Sequence, residues 1–211
     1  MNQELLKRIF SSIVLIPIAF FFIIEGSLPF IFFISICFFI VVYEWHKMTQ
    51  KKPYRIYGYI FLIISFYTIY IIRMDDKLGY WIFMLITIIC ISTDIGGYVF
   101  GKLFRGPKLT KFSPNKTFSG MIGGYILSII SSIIFTNYTY EKDLTNDWII
   151  FVLIISTISQ LGDILISYFK RLSKIKDTGK IIPGHGGMLD RVDGMIFAFP
   201  FSYIIILFDI I

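Results

Sequence analysis

Uncharged apolar stretches long enough to form membrane helices recur along the whole 211-residue sequence. A helix that crosses the hydrocarbon core of a bilayer needs about 20 mostly apolar residues. Only 16% of the residues are charged, against about 25% in soluble domains, so the composition excludes a soluble enzyme, and it is too apolar for a disordered chain. We predict an all-α integral membrane protein, a polytopic transmembrane helix bundle of about seven spans: Ile9–Ile24, Gly26–Tyr43, Ile56–Ile72, Leu78–Thr93, Thr117–Tyr140, Trp148–Gly162 and Gly194–Phe208.

The chain contains no recognisable soluble segment, repeat or low-complexity linker. We predict a single transmembrane domain over residues 1–211, with variable N-terminal spans in residues 1–77 and a catalytic part in residues 78–211. The turn from Glu25 to Pro29 predicts a tight hairpin between the first two spans. The two cysteines, Cys37 and Cys90, lie inside apolar runs, which excludes a disulfide scaffold and a cysteine-built zinc site.

The basic residues are distributed very unevenly between alternate loops. All but Arg73, Lys77 and Lys142 of the 20 basic residues fall in one set of loops, which predicts that the N-terminus and these loops face the cytoplasm. We expect a multi-pass protein of the cell (inner) membrane. The net charge of +6 is then a topology signal, and no nucleic-acid partner is expected.

Four aspartates occur where a charge close to a bilayer is costly. Asp94 and Asp163 come late in the fourth and sixth predicted spans, and Asp190 and Asp193 open the seventh. With alternating spans, all four reach a similar depth near the cytoplasmic face. Singly, three of them have a plain structural explanation: Asp163 as a buried acid paired with a lysine or a backbone donor, Asp94 as a ragged helix end, and Asp190 as an N-cap. Together they favour a functional site, and oxygen ligands without a His or Cys cluster favour Mg²⁺.

Two predicted cytoplasmic loops contain residue types that suit phosphate groups. In the first, residues 101–116, Ser113 followed by Pro114 predicts a helix N-cap with proline at the first helical position. Lys116 and Thr117 would then lie in a first turn whose N–H groups can bind phosphate, although this loop alone favours a basic loop that touches anionic lipid headgroups. The second loop, residues 170–193, places His185 between glycines that permit a tight backbone path.

The second loop and the span before it resemble the phosphatidate cytidylyltransferase (CDP-diacylglycerol synthase) family. The family pattern is Ser-x-x-Lys-Arg, four residues, Lys-Asp, a small residue two positions later, Pro-x-His-Gly-Gly and Asp-Arg-x-Asp, and residues 167–193 match it without a gap. A second stretch, Asp94 to Gly101 followed by Ser113 to Thr117, is also similar to the family. Ser119 stands where the family usually has an acid, and Gly97 stands where it often has alanine.

The resemblance implies the reaction of CTP with phosphatidate to give CDP-diacylglycerol and pyrophosphate, with Mg²⁺ and a monovalent ion such as K⁺, in a homodimer. Read with the residue chemistry, it assigns catalysis to Asp163, Lys170, Arg171, Lys176, Asp177, His185, Asp190, Arg191 and Asp193. It assigns substrate binding to Asp94, Ser113, Lys116, Thr117, Ser167, Gly186 and Gly187. The expected metal ligands are Asp163, Asp190 and Asp193.

Two other functions are compatible with part of the sequence. A CTP-dependent polyprenol or dolichol kinase would share the helix bundle and the CTP site but would transfer the γ-phosphoryl group to an alcohol. A membrane transporter would also use intramembrane aspartates and glycine-broken helices, but its site tends to lie at the bilayer midplane between repeats. The pattern through Asp193 favours the cytidylyltransferase over both.

Overall fold

Apolar helices dominate the computed structural model, which describes residues 3–75, 79–110, 113, 116–139, 146–184 and 186–208. The described residues form eight helices and no strand. The helices are α1 (Gln3–Glu25), α2 (Ser27–Met48), α3 (Arg55–Met74), α4 (Gly79–Phe104), α5 (Phe118–Thr139), α6 (Asn146–Leu172), α7 (Leu189–Val192) and α8 (Met195–Leu207).

The prediction of a polytopic all-α membrane protein is confirmed. Five helices, α2 to α6, are long and apolar enough to cross a membrane, and two shorter apolar helices lie at Phe10–Glu25 and Met195–Leu207. These seven helices correspond to the seven apolar runs of the sequence. The remaining helix, α7, is a single turn inside the loop that carries the family pattern.

The hairpin predicted between the first two spans is present, and an arginine completes it. Helix α2 follows α1 after Gly26 alone, and the backbone takes positive φ angles of 64° at Gly26 and 45° at Ser27. The Arg73 guanidinium donates two hydrogen bonds to Ile23 O, at 2.9 and 2.6 Å, and one to Ile24 O at 3.2 Å. Arg73 therefore satisfies carbonyl groups that the C-terminus of α1 would leave without donors.

The chain divides into two compact units. The first contains Met1–Tyr80 and Lys170–Val192, and the second contains Trp81–Phe169 and Asp193–Ile211. Residues 170–192, which belong to a loop that we predicted to be cytoplasmic, thus group with the N-terminal helices. The division into variable N-terminal spans and a catalytic part stays a prediction.

Within the second unit, α4 and α5 approach so closely that their backbones touch through glycines. A Cβ at Gly96 would collide with the carbonyl oxygen of Gly123 and lie 2.8 Å from its carbon, and a Cβ at Gly120 would lie 2.6 Å from Gly97 O. Small residues allow such approaches between membrane helices. The contact places the start of α5, and the loop before it, against the end of α4.

Hydrogen bonds between hydroxyl groups link the apolar helices of the second unit. Thr93 in α4 pairs with Ser156 in α6 at 2.8 Å, and both are buried. Ser131 in α5 donates to Ser92 Oγ at 2.6 Å. Such bonds add specificity to packing between apolar helices, where each is worth about 0.6 kcal/mol.

Gly96→Ala should destabilise the second unit, because its methyl group would meet backbone atoms that cannot move aside. Gly97→Ala is the matched control, since its Cβ would meet Gly120 O at an ordinary 3.8 Å. Overpacking typically costs about 1–3 kcal/mol, so we expect Gly96→Ala to lower the unfolding midpoint in detergent by roughly 3–10 °C. Equal midpoints for the two variants would contradict the close approach of α4 and α5.

Candidate functional site

The family-pattern loop of the first unit follows a tight path that depends on two glycines. Ile182 and Gly186 exchange backbone hydrogen bonds of 3.0 and 3.2 Å around the turn between them. Gly184 and Gly186 have φ angles of 77° and 91°, a region that side chains other than glycine rarely adopt. Ser11 in α1 donates to Pro183 O at 3.0 Å. The turn is therefore attached to the first helix.

Asp190, in the short helix α7, organises this loop. Its Oδ1 accepts a hydrogen bond from Lys170 Nζ at 2.9 Å, and its Oδ2 accepts from the backbone N–H groups of Thr178 at 2.8 Å and Gly187 at 3.1 Å. The side chain is only 5% exposed. Burial raises the pKa of Asp190, but the hydrogen bond and charge of Lys170, together with the two N–H groups, outweigh it and lower the pKa below its ordinary value of 3.8. The carboxylate is therefore ionised at neutral pH.

Exposed cations surround this ordered loop. Arg171 donates to Ile175 O at 3.3 Å, and its side chain is exposed. Lys174, Lys176, Lys180 and Arg191 are exposed as well, and so is Asp177. An excess of exposed positive charge beside a rigid backbone suits an anionic substrate such as a polyphosphate.

One residue that sequence reasoning missed lies beside Asp190. Glu44, near the end of α2, is 1% exposed and accepts hydrogen bonds from Thr178, Met188 and Leu189. The predicted second span ended at Tyr43, so Glu44 was not weighed with the four aspartates. The signal that could have found it is an acid directly beside an 18-residue apolar run, at the predicted cytoplasmic end of the span.

In the second unit, Asp163 pairs with the lysine of the other predicted loop. Its Oδ2 forms an ion pair with Lys116 Nζ, and its Oδ1 accepts from Ser167 Oγ at 3.3 Å, one helical turn further along α6. The side chains of Asp163 and Lys116 are 27% and 24% exposed. The structure thus joins three predicted site residues, and the pair keeps contact with solvent.

Asp193 lies in the same unit as Asp163, where α8 packs against α6. A Cβ at Gly162 would be 2.9 Å from Asp193 O, and a Cβ at Gly194 would collide with Ser159 Oγ. Asp193 is 7% exposed, and its Oδ1 accepts from the N–H of Gly194 at 3.0 Å. The two glycines therefore bring the segment around Asp193 close to the turn of α6 that carries Asp163.

Asp94 is exposed on α4, in a turn where Ile91 and Ile95 are also exposed. Its predicted part in substrate binding stays a prediction.

The predicted N-cap at Ser113 is wrong, because α5 begins four residues later than Pro114. Leu109 N–H donates to Lys116 O at 2.8 Å, and Phe118 N–H donates to Pro107 O at 3.1 Å. The backbone just before the helix is therefore hydrogen-bonded to the other side of the loop. Thr117 caps the helix instead, its Oγ1 accepting from Gly120 N–H at 3.1 Å. Lys116 therefore precedes the helix and is not part of its first turn.

The two departures from the family pattern have plain structural roles. Ser119, in the place of an acid, hydrogen-bonds to Arg105 O and to Thr117 Oγ1, the second at 3.0 Å. It therefore closes the loop that leads into α5. At Gly97, a methyl group would make ordinary contact with Gly120 O at 3.8 Å, so either glycine or alanine fits this position.

The predicted role of His185 lies outside the described residues. Among the residues that the structure describes, no three His, Cys, Asp or Glu side chains form a group that could hold a metal ion. Asp163 and Asp193 supply the donor type that Mg²⁺ prefers, since in proteins it is bound by one or two carboxylates together with waters and substrate phosphates. Lys116 and Ser167 engage the two oxygens of Asp163, so a metal ion at this carboxylate would replace the lysine, and both residues as metal ligands stay a prediction. Asp190 as a metal ligand stays a prediction, with both of its oxygens engaged by donors of its own loop.

The fold and these residues define a multi-pass membrane protein with a carboxylate–lysine pair in each of its two units. The sequence model of the "Cytidylyltransferase family" matches residues 6–76 and 56–209. The chain belongs to this family.

Named relatives cover nearly the whole chain. A phosphatidate cytidylyltransferase of Rickettsia felis is 34% identical over 212 residues, 97% of this chain and 93% of the relative. One from Rickettsia bellii is 36% identical over 219 residues, 97% of this chain and 91% of the relative. A phosphatidate cytidylyltransferase of Brucella suis is 33% identical over 82% of this chain and 63% of that longer relative.

Asp190→Asn should loosen the family-pattern loop, because the amide removes the charge that Lys170 and two N–H groups engage. Hydrogen bonds to a charged group contribute about 2 kcal/mol, so we expect trypsin to cleave after Lys174, Lys176 or Lys180 at least tenfold faster. The cleavage sites are exposed, and mass spectrometry of the fragments identifies them. Asp177→Asn, at an exposed carboxylate, is the control. Unchanged cleavage of Asp190→Asn would contradict its organising role.

Proposed function

We propose that this protein catalyses the transfer of a cytidylyl group from CTP to phosphatidate, giving CDP-diacylglycerol and pyrophosphate, in phospholipid biosynthesis. Membership of the cytidylyltransferase family and the names of the relatives support this reaction. The observation that carries it in the structure is the loop ordered by Asp190 and lined with exposed cations. A triphosphate and a lipid phosphate are both strongly anionic, and such a loop suits them.

The reaction requires alignment and neutralisation of charge more than a strong base. A phosphate oxygen of phosphatidate is already an anionic nucleophile; it forms a bond to the α-phosphorus of CTP while the bond to the leaving pyrophosphate breaks. Arg171 and Lys176 would hold the triphosphate and the leaving group, and Lys170 is kept in place by Asp190. Fixed cations stabilise the charge that develops on transferring phosphoryl groups.

Lys116 is proposed to bind a second phosphate group. It is partly exposed, and its ion pair with Asp163 holds it beside Ser167. The glycine contacts between α4 and α5 position the segment that carries it. Thr117 contributes by capping α5. Ser113 and Asp94 are also proposed to contact the substrate.

Mg²⁺ is the proposed cofactor, held by Asp163 and Asp193, with Asp190 as the third predicted ligand. A bound Mg²⁺ would neutralise charge on the phosphate oxygens and on the leaving group. The chain itself contributes the carboxyl oxygens and, through Gly162 and Gly194, the close packing that brings Asp163 and Asp193 into one region. The proposed K⁺ and homodimer rest on the family resemblance.

The proposed location is the cell membrane, with the N-terminus and the basic loops in the cytoplasm. The distribution of lysine and arginine supports this orientation. It also places the site where CTP is available, while the acyl chains of phosphatidate remain in the lipid.

The reaction is tested with purified protein in mixed micelles that contain phosphatidate, Mg²⁺ and CTP labelled in the cytosine. We expect label in the lipid extract, and we expect EDTA to abolish it. Label from γ-labelled CTP in added polyprenol, with no cytosine label in lipid, would instead indicate the kinase. Absence of both, with a working control enzyme, would overturn the proposal.

Asp193→Asn should lower turnover by more than tenfold, a loss of over about 1.4 kcal/mol in transition-state stabilisation, because the amide cannot replace a buried charged ligand. Asp75→Asn is the control, since this exposed residue ends α3 and has no proposed role. Both variants should insert into membranes like the unmodified protein. Retention of more than a tenth of the activity by Asp193→Asn would remove this residue from the proposed metal site.

A further inference from the structure

A buried carboxylate in the N-terminal helices has no place in the reaction described so far. Glu44 lies near the C-terminus of α2, and 1% of its surface is exposed. Helix α2 is strongly apolar and long enough to cross a membrane. Burying an acid in such surroundings is costly unless hydrogen-bond donors satisfy it. The donors that bind its two oxygens therefore indicate what role the residue has.

Both oxygens of Glu44 are bound by the family-pattern loop. Oε1 accepts from Met188 N–H at 3.0 Å, and Oε2 accepts from Leu189 N–H at 2.8 Å and from the Thr178 hydroxyl at 3.0 Å. Thr178 and Leu189 are themselves buried, at 4% and 0% exposure. More than 130 residues separate Glu44 from each partner in the sequence, so these bonds attach the loop to a distant helix.

The volume of this carboxylate also accounts for two glycines of the loop. A Cβ at Gly179 would collide with Glu44 Oε1, and a Cβ at Gly187 would collide with Thr178 Oγ1 and lie 2.6 and 2.7 Å from the two oxygens of Glu44. Neither glycine has a positive φ angle. Space beside Glu44 and Thr178, and not backbone conformation, therefore favours glycine at these two positions.

Glu44 and Asp190 hold the same segment through neighbouring groups. Thr178 donates its N–H to Asp190 and its hydroxyl to Glu44. Of three consecutive N–H groups, that of Gly187 points to Asp190 and those of Met188 and Leu189 point to Glu44. Loss of either acid would leave donors of this segment unsatisfied inside the protein.

We propose that Glu44 is a positioning residue for cytidylyl transfer: it fixes Thr178, Met188 and Leu189 of the family-pattern loop by accepting one hydrogen bond from each. It acts through Thr178, Met188 and Leu189 and does not touch the substrate. The inference rests on the proposed function, and it gives the N-terminal spans a direct part in the site. A displacement of about 1 Å in an aligned active site can cost about a hundredfold in rate.

The first test compares Glu44→Gln with Glu25→Gln, an exposed acid at the end of α1. Glutamine keeps one acceptor oxygen but replaces the other with an NH₂ donor, which would face at least one backbone N–H that donates to Glu44. We expect kcat to fall at least tenfold in Glu44→Gln, with KM for CTP and phosphatidate within about threefold, and no change in Glu25→Gln. An unchanged kcat in Glu44→Gln would overturn the proposal, as would a loss confined to KM.

A conservative pair at Thr178 tests the same bonds if Glu44→Gln does not fold. Thr178→Val removes the hydroxyl donor and keeps the shape, whereas Thr178→Ser keeps the donor. We expect kcat to fall in Thr178→Val and to stay within about twofold in Thr178→Ser. Equal activities for the two variants would contradict the positioning role.

A double-mutant cycle tests direct contact. Gly179→Ala should lower kcat in the unmodified protein, because its methyl group meets Glu44, but should cost little more in a Glu44→Ala background, where that space is vacant. If the fall in kcat of the double variant equals the product of the two single falls, Glu44 does not contact the loop at Gly179, and the proposal is overturned.

Trypsin cleavage after Lys174, Lys176 and Lys180 separates failure of this inference from failure of the proposed function. If the unmodified protein transfers no cytidylyl group, the proposed reaction fails, but faster cleavage in Glu44→Gln than in Glu25→Gln would still establish that Glu44 holds the loop. Equal cleavage would reject the inference whatever the reaction is.

Discussion

Buried carboxylates and the donors that satisfy them determine the structure on which the site depends. Asp190 and Glu44 together accept hydrogen bonds from Lys170, Thr178, Gly187, Met188 and Leu189. Because an unsatisfied buried carboxylate or N–H group is costly, the loop has few alternative paths. Its glycines follow from the same constraint, since they leave room for Glu44 and permit the backbone pairing of Ile182 with Gly186.

The second unit reaches a comparable rigidity through close helix packing. Backbone contact at Gly96, Gly97, Gly120 and Gly123 joins α4 to α5, and hydroxyl pairs add direction to contacts between apolar helices. This packing carries Lys116 to a place where Asp163 can pair with it. One acid–lysine pair thus belongs to each unit, and in each pair the acid holds a lysine in place by a charge-assisted contact.

Much of this arrangement was accessible from residue patterns. Apolar runs predicted the helices, and the spacing of Ser167, Lys170, Asp190 and Asp193 predicted the family and the residues of interest. The start of α5 was missed because Ser113 and Pro114 suit a helix N-terminus locally, while backbone pairing of Leu109 with Lys116 delays the helix to Phe118. Glu44 was missed because a hydropathy boundary at Tyr43 placed it outside the second span.

The sequence by itself determined the membrane class, the order of the helices and the cytidylyltransferase family, because apolar periodicity and motif spacing are local properties of the chain. Only the tertiary structure decided which acid pairs with which donor. Lys116 binds Asp163, Lys170 binds Asp190, and Glu44 binds a loop more than 130 residues away. Such partners depend on which helices pack together, and the physical reason is that a buried charge takes the nearest donors in space, which one-dimensional spacing does not reveal.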